Sequence, residues 1–320
     1  MGDRHGKHSK HSKHIEHIEH IEHIEHNNFD IRSYIDRSVS DLLDSDSKKA
    51  EEIDTLVLSG GAMKGMAQLG AMHYLEERNI LQNIKHFAGT SAGSLICALS
   101  VIGYRPVEIY RFFMSIDVSK MSKINAYNLF SKLGLDDGQR FEIVLKKFFK
   151  AKSIDTGITF SELYKKTLKT LIVTGACIND KKLYYFSHDT HPHMKVVDAL
   201  RISISVPIFY TPRKYKGKVF LDGGCIDNYP MGLFQHKLHK VIGIYVSEHR
   251  AHVDKINSIE SFLLNTVGCI REGMDINARK GFEDRTIYIK CTSGEDNNHI
   301  STMFDQGYVT AVEFFRDYII

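Results

Sequence analysis

From Ile53 to the carboxyl end the chain alternates short apolar runs with longer helix-like ones, and no other feature limits its fold so tightly. The spacing predicts strands at 54–58, 84–89, 171–178, 183–187, 219–221, 241–247 and 286–291. Helices are predicted at 64–78, 92–102, 106–115, 138–151, 160–168, 195–203, 230–236, 258–278 and 302–319. Strands separated by helices build crossover units, whose strands run parallel and whose helices cover both sheet faces. The expected fold class is therefore α/β: a three-layer α/β/α sandwich with a central, mainly parallel sheet. Such sheets place their chemistry at the carboxyl ends of strands. Two glycine-bearing turns fall there.

The amino-terminal part follows different rules. Residues 1–26 are low in complexity, with His-Ser-Lys units giving way to four His-Ile-Glu repeats from His14 to Glu25. A three-residue period drifts by about 60° per repeat around an α-helix, so the isoleucines never share a face and the segment cannot build a core. A disordered N-terminal tail and linker is expected over residues 1–50, ahead of a folded domain at 51–320. The eight histidines His5, His8, His11, His14, His17, His20, His23 and His26 are of the right type for transition-metal binding. The whole chain of 320 residues is 42% hydrophobic, which suffices for one large core.

Other bulk features decide less. The net charge of +3 decides little, but the part after residue 50 carries 34 Lys/Arg against 29 Asp/Glu, an excess that tolerates an anionic membrane surface without requiring one and does not suggest nucleic acid as a partner. Cys97, Cys177, Cys225, Cys269 and Cys291 lie far apart with no C-x-x-C pair, which favours reduced thiols and a cytoplasmic location, with peripheral membrane contact left open. The apolar stretch Phe87 to Gly103 is shorter than a usual membrane span and contains a turn, so it reads as strand end and buried helix.

The chemistry concentrates in three motifs. Gly89-Thr90-Ser91-Ala92-Gly93 lies between a predicted strand and a predicted helix. A chain that reverses there forces its central residue into a strained, exposed position, and the flanking Gly89 and Gly93 relieve the crowding. Ser91 is the candidate nucleophile. Upstream, Ser59-Gly60-Gly61-Ala62-Met63-Lys64-Gly65 opens another helix after a strand, so the free N–H groups of Gly60, Gly61 and Ala62 form a candidate oxyanion hole. Downstream stands Phe220-Leu221-Asp222-Gly223-Gly224-Cys225-Ile226-Asp227-Asn228-Tyr229-Pro230.

In this order the three motifs resemble the patatin-like phospholipase family, as does the segment Ser203 to Phe209 with Pro212, and the likeness covers about residues 54 to 233. The resemblance implies a patatin-like catalytic domain at 51–320 that cleaves fatty-acyl esters of phospholipids or lysophospholipids. It gives Asp222 the role of base in a Ser–Asp dyad without histidine. Gly223 and Gly224 let that carboxylate turn toward Ser91, Asn228 supports the loop, and Lys64 steadies the glycine turn beside Gly65. No metal or other cofactor is expected, and membrane contact would be transient. One departure is visible, since the family's third consecutive glycine is here Ala62. If that position needs a positive φ, alanine costs about 1 kcal/mol there.

Two other readings stand beside this one. A Ser-His-Asp carboxylesterase would draw its base from His236, His239, His249, His252 or His299, and a lipid-binding or scaffold protein would keep the pocket without turnover. A dinucleotide loop fits poorly, because Glu76 and Glu77 fall inside a helix rather than at the end of a second strand. His188, His191 and His193 match no zinc spacing and read as a polar loop. Arg213 to Lys218 reads as a basic hairpin tip, a solvated turn before one that meets lipid phosphates.

Overall fold

Every residue of Thr55–Leu58 (β1) is buried. Side chains alternate across a strand, and here Leu56 and Leu58 enter one apolar cluster while Val57 enters another. Only a sheet covered on both faces needs such a strand. The computed structural model describes residues 52–115, 124–248, 255–291 and 297–318. The expectations for the histidine-rich tail and linker, and for His249 and His252, lie outside the described residues.

Around β1 the sheet continues through His86–Gly89 (β2), Thr170–Cys177 (β4), Val241–Glu248 (β9) and Thr286–Cys291 (β10), all parallel, in the order β10-β9-β1-β2-β4. Lys182–Phe186 (β5) and Lys218–Asp222 (β8) both pair antiparallel with β4. Arg213–Tyr215 (β7) folds back on β8, with the turn at Lys216 and Gly217, so the expected basic hairpin tip is present. The sheet is thus mainly parallel, as the alternation predicts.

On one face lie Gly65–Glu77 (α1), Ala92–Val101 (α2), Pro106–Ser115 (α3), Gln139–Ala151 (α5), Phe160–Thr167 (α6) and Val196–Ser203 (α7). The carboxyl-terminal helix Asn297–Tyr318 (α9) joins them, beginning five residues earlier than predicted. It packs on α1, where the Tyr74 ring meets Tyr308 edge-on at 5.6 Å and Phe315 at 5.5 Å. On the other face, Met231 and Phe234 bury against Val57, Ala88 and Tyr245, backed by Ala278 of Ile259–Arg279 (α8). The segment Pro230–Lys240 carrying them is not the predicted α-helix. It is a 3-10 turn broken at Phe234 (φ −111°) and Lys237 (φ −142°).

A small annex was not legible in the sequence. Ala126–Lys132 (α4) packs beside a two-stranded parallel sheet made of Gly134–Asp136 (β3) and Ile208–Tyr210 (β6), with Gly134 opposite Ile208. No helix among the described residues is long and apolar enough to cross a membrane.

Candidate active site

Three strand registers fix the meeting of the motifs. Val173 of β4 pairs with Gly89 of β2 and also with Phe186 of β5, so β2 and β5 occupy opposite edges of β4. Gly175 pairs with Tyr184 of β5 and with Asp222 of β8, so β8 takes the same edge as β2. The two strands therefore end facing each other, with Gly89 and Asp222 opposite residues only two apart on β4. The chain leaving β2 must turn out of the sheet at once, and the residues that do so are Thr90 and Ser91.

Ser91 has φ 54° and ψ −124° and immediately precedes α2. A non-glycine residue held there stores about 1–3 kcal/mol of backbone strain. The strain is locked in by its neighbours: the Ser91 N–H donates to Ser203 Oγ at 3.0 Å, and Ser94 Oγ donates to the Ser91 carbonyl at 2.7 Å. Gly93 is needed because α2 crosses β1 closely. A Cβ at Gly93 would lie 2.5 Å from the Ser59 carbonyl oxygen and 2.7 Å from that of Leu58. Gly89 closes β2 beneath the turn.

Asp222, buried, ends β8 and caps the turn that follows, its Oδ1 accepting the Gly224 N–H at 2.8 Å. Its own N–H donates to the Ser205 carbonyl at 3.0 Å. Ser203 and Ser205 thus hold the backbones of Ser91 and Asp222 from the end of one helix, α7. Behind them, Thr174 Oγ1 donates to Thr90 Oγ1 at 2.8 Å, and Thr90 Oγ1 to the Asp227 carbonyl at 3.3 Å. Burial pushes the Asp227 carboxyl up, against the Tyr229 N–H that it accepts at 2.8 Å.

The glycine loop arrives from β1. Ser59 N–H donates to the Ile244 carbonyl at 3.1 Å, and buried Gln68 donates to the Ser59 carbonyl at 2.8 Å. Gly60 N–H donates to the Asn228 carbonyl at 3.0 Å while Asn228 Nδ2 returns a bond to the Gly60 carbonyl at 3.2 Å. That engagement narrows the expected oxyanion set, since the N–H of Gly60 is already bonded. Gly61 and Ala62 head the short 3-10 turn Ala62–Lys64, where N–H groups have no partner within the helix. Ala62 has φ 48°, so the strained alternative foreseen for the missing third glycine is the one realised. Lys64 N–H closes the loop on the Gly61 carbonyl at 3.0 Å, and Gly65 begins α1.

Asn228 joins the halves. A Cβ at Gly60 would fall 2.3 Å from Asn228 Oδ1 and 3.2 Å from the Ser91 Cβ. One at Gly224 would fall 3.0 Å from the same Oδ1 and 3.2 Å from Asp222 Oδ1. The amide thus lies between the glycine beside Ser91 and the glycine beside Asp222. Gly223 sits against Thr174. Sequence reasoning missed Ser203, Thr90, Thr174 and Gln68. Thr90 stands inside the Gly-Thr-Ser-Ala-Gly motif and Ser203 inside the segment that carries the resemblance, but the partners of Thr90, Thr174 and Ser203 lie far along the chain.

Among the described residues, the histidines lie elsewhere. His236 and His239 are exposed on the segment leading into the amino end of β9, opposite the strand ends that carry Ser91. His299 lies in the first turn of α9, after the edge strand β10. His188 stacks on Tyr164 at 3.9 Å, and His191 Nδ1 bonds Thr190 Oγ1 at 3.0 Å.

Comparison with known proteins gives the following. The sequence profile described as "Patatin-like phospholipase" matches residues 56–234. The chain is 37% identical over 192 residues to the probable lipid hydrolase 463L of Invertebrate iridescent virus 6, spanning 58% of this chain and 65% of that protein. It is 33% identical over 273 residues to the uncharacterized protein R571 of Acanthamoeba polyphaga mimivirus, spanning 81% and 89%. Its fold is similar to that of VipD from Legionella pneumophila, with a TM-score of 0.54 at 19% identity over 83% of this chain and 67% of that one.

Proposed function

The chain belongs to the patatin-like phospholipase family, and from that premise we propose that it is an acyl hydrolase cleaving fatty-acyl esters of phospholipids or lysophospholipids through Ser91 and Asp222. The observation that carries the reading is the head-on ending of β2 and β8, which leaves a strained serine and a buried aspartate at one point of the sheet. A serine hydroxyl is hardly ionised at neutral pH and needs a base during attack. As Ser91 Oγ bonds to the ester carbonyl carbon, its proton passes to the Asp222 carboxylate. The oxyanion receives the N–H groups of Gly61 and Ala62, already fixed before reaction. Collapse breaks the ester bond, and the proton returns from Asp222 to the departing alcohol. Water then repeats the sequence on the acyl-enzyme, giving up its proton to Asp222, which passes it back to Ser91 as the fatty acid leaves.

In this reading residues 51–320 are the catalytic domain, residues 1–50 a tail without part in the chemistry, and the protein a cytoplasmic one that meets lipid surfaces transiently. A fluorophosphonate probe should label wild type and fail on Ser91→Ala. Asp222→Asn should lower turnover of a soluble ester by about 10³-fold or more with the fold intact. Labelling that survives Ser91→Ala, or an Asp222→Asn enzyme of near wild-type rate, refutes the dyad. A panel of phospholipid, lysophospholipid and neutral-lipid esters then identifies the substrate.

A further inference from the structure

The annex beside the site exposes apolar side chains that the core does not use. Ile124, Tyr127, Leu133, Val206, Ile208 and Ile226 are all exposed, Tyr127 at 76% and both Leu133 and Ile208 at 66%. They lie on segments that are tied to one another. Leu133 directly precedes Gly134, which pairs with Ile208, and the Asn125 N–H donates to the Leu135 carbonyl, tying the start of α4 to the same strand. Val206 follows Ser205, whose carbonyl holds the Asp222 N–H, and Ile226 follows the Asp222 turn on its other side. These ties run from α4 through β3 and β6 to the segment that holds the Asp222 backbone.

Two features mark it as more than scattered apolar exposure. Leu133 (φ 61°) and Ile208 (φ 72°) both sit in left-handed backbone, which for a β-branched residue is a genuine outlier. Along its margin Lys132 and Arg213 are offset by Asp137 and Glu142 at 3.7 Å each, which leaves a positive excess at the exposed Lys214 and Lys216 of the hairpin that follows β6. An apolar surface rimmed by lysines suits the boundary between anionic headgroups and acyl chains.

We propose that the lip formed by Tyr127, Leu133, Val206 and Ile208 docks the protein on phospholipid bilayers containing anionic lipid, with Lys214 and Lys216 on the headgroups, so that substrate enters beside Asp222 without crossing water. This inference rests on the lipid-hydrolase reading but is tested by a measurement that needs no turnover. The chain contains no tryptophan, so a single one reports its own surroundings. In the full chain, Tyr127→Trp emission is expected to shift to the blue on vesicles of phosphatidylcholine and phosphatidylserine and to be quenched by brominated acyl chains. Leu168→Trp, exposed just before the amino end of β4 and so at the opposite end of the sheet, is expected not to respond. Leu133→Asn removes the apolar group with a residue that tolerates left-handed backbone. It is expected to weaken vesicle partition about tenfold and to lower turnover of vesicle lipid accordingly, with soluble-ester turnover within about twofold of wild type. Lys214→Glu with Lys216→Glu is expected to weaken binding to anionic but not to purely zwitterionic vesicles.

Equal responses at Tyr127→Trp and Leu168→Trp overturn the proposal, as does unchanged partition of Leu133→Asn. A dimer in sedimentation that Leu133→Asn dissolves, with vesicle partition unaltered, assigns the lip to a second copy instead. Soluble-ester inactivity of wild type would refute the hydrolase reading alone, since the tryptophan signal is read without catalysis.

Discussion

Gly60→Ala should damage this protein through a single atom, and removing that atom should undo part of the damage. The new Cβ would sit 2.3 Å from Asn228 Oδ1, where ordinary contact begins at 3.4 Å, so about 1.1 Å must be absorbed. The amide cannot swing aside freely. Asn228 is 8% exposed, its Nδ2 bonds the Gly60 carbonyl and its own carbonyl holds the Gly60 N–H. Overpacking of this kind costs about 1–3 kcal/mol. Asn228→Ala alone should cost about 1–2 kcal/mol for the lost amide bonds. In the double variant the Cβ occupies the space the amide has left, so the two losses should fall short of their sum by about 1 kcal/mol or more. Urea midpoints and slopes of the four proteins give the coupling, and fluorophosphonate labelling rates show whether Ser91 follows. Additivity within about 0.5 kcal/mol would refute the argument that Asn228 sets the distance between the glycine loop and the serine turn.

Ser203→Ala should leave the Ser91 N–H without its acceptor, costing about 1–3 kcal/mol and slowing fluorophosphonate labelling roughly tenfold; an unchanged midpoint and labelling rate would remove Ser203 from the frame. Burial, with the Lys237 ammonium adding, holds the His86 imidazole below its ordinary 6.5, and burial with Lys216 does the same at His191. Such groups gain their proton only on unfolding, so stability should be complete above pH 6.5 and decline as pH falls below it, and His86→Gln should flatten that decline in urea midpoints taken between about pH 7.5 and about pH 5.5. Cys225 and Cys269 are exposed while Cys97, Cys177 and Cys291 are buried, with burial pushing the Cys97 thiol far up. Ellman's reagent should therefore react rapidly with Cys225 and Cys269 in the native protein and with all five after denaturation.

The sequence exposed what depends on local chemistry. Strands such as β1 and β9, buried on both faces, must be continuous apolar runs, and turns that crowd a helix against a strand must carry glycine, as Gly93 does against the Leu58 and Ser59 carbonyls. What stayed hidden depends on partners distant in the chain. β3 and β6 are three residues each, too short for a period, and exist because residue 134 meets residue 208. Ser203 reads as an ordinary helix residue until its hydroxyl is seen beneath Ser91, 112 positions away. The φ of Ala62 could not be chosen from the residue alone. Residues 230–236 read as helical because their apolar spacing suits either helix type, and the chain forms the tighter one with Met231 and Phe234 packed against the sheet.

The position of β1 also determines when the site can exist. Its neighbours are β2, reached within about 30 residues, and β9, whose Val241 pairs with Thr55 from 186 positions downstream. At the usual 5–20 residues per second of synthesis, that interval is about 10 to 40 s. Through it β1 has an open edge, the kind of template on which chains aggregate. The acceptors of the Ser59 and Gly60 N–H groups, Ile244 and Asn228, have not yet been made either. A nascent chain can thus carry the complete Gly-Thr-Ser-Ala-Gly turn while its glycine loop still hangs from an unanchored strand. On the proposed reading, the site can be completed only after the chain has been made through Ile244.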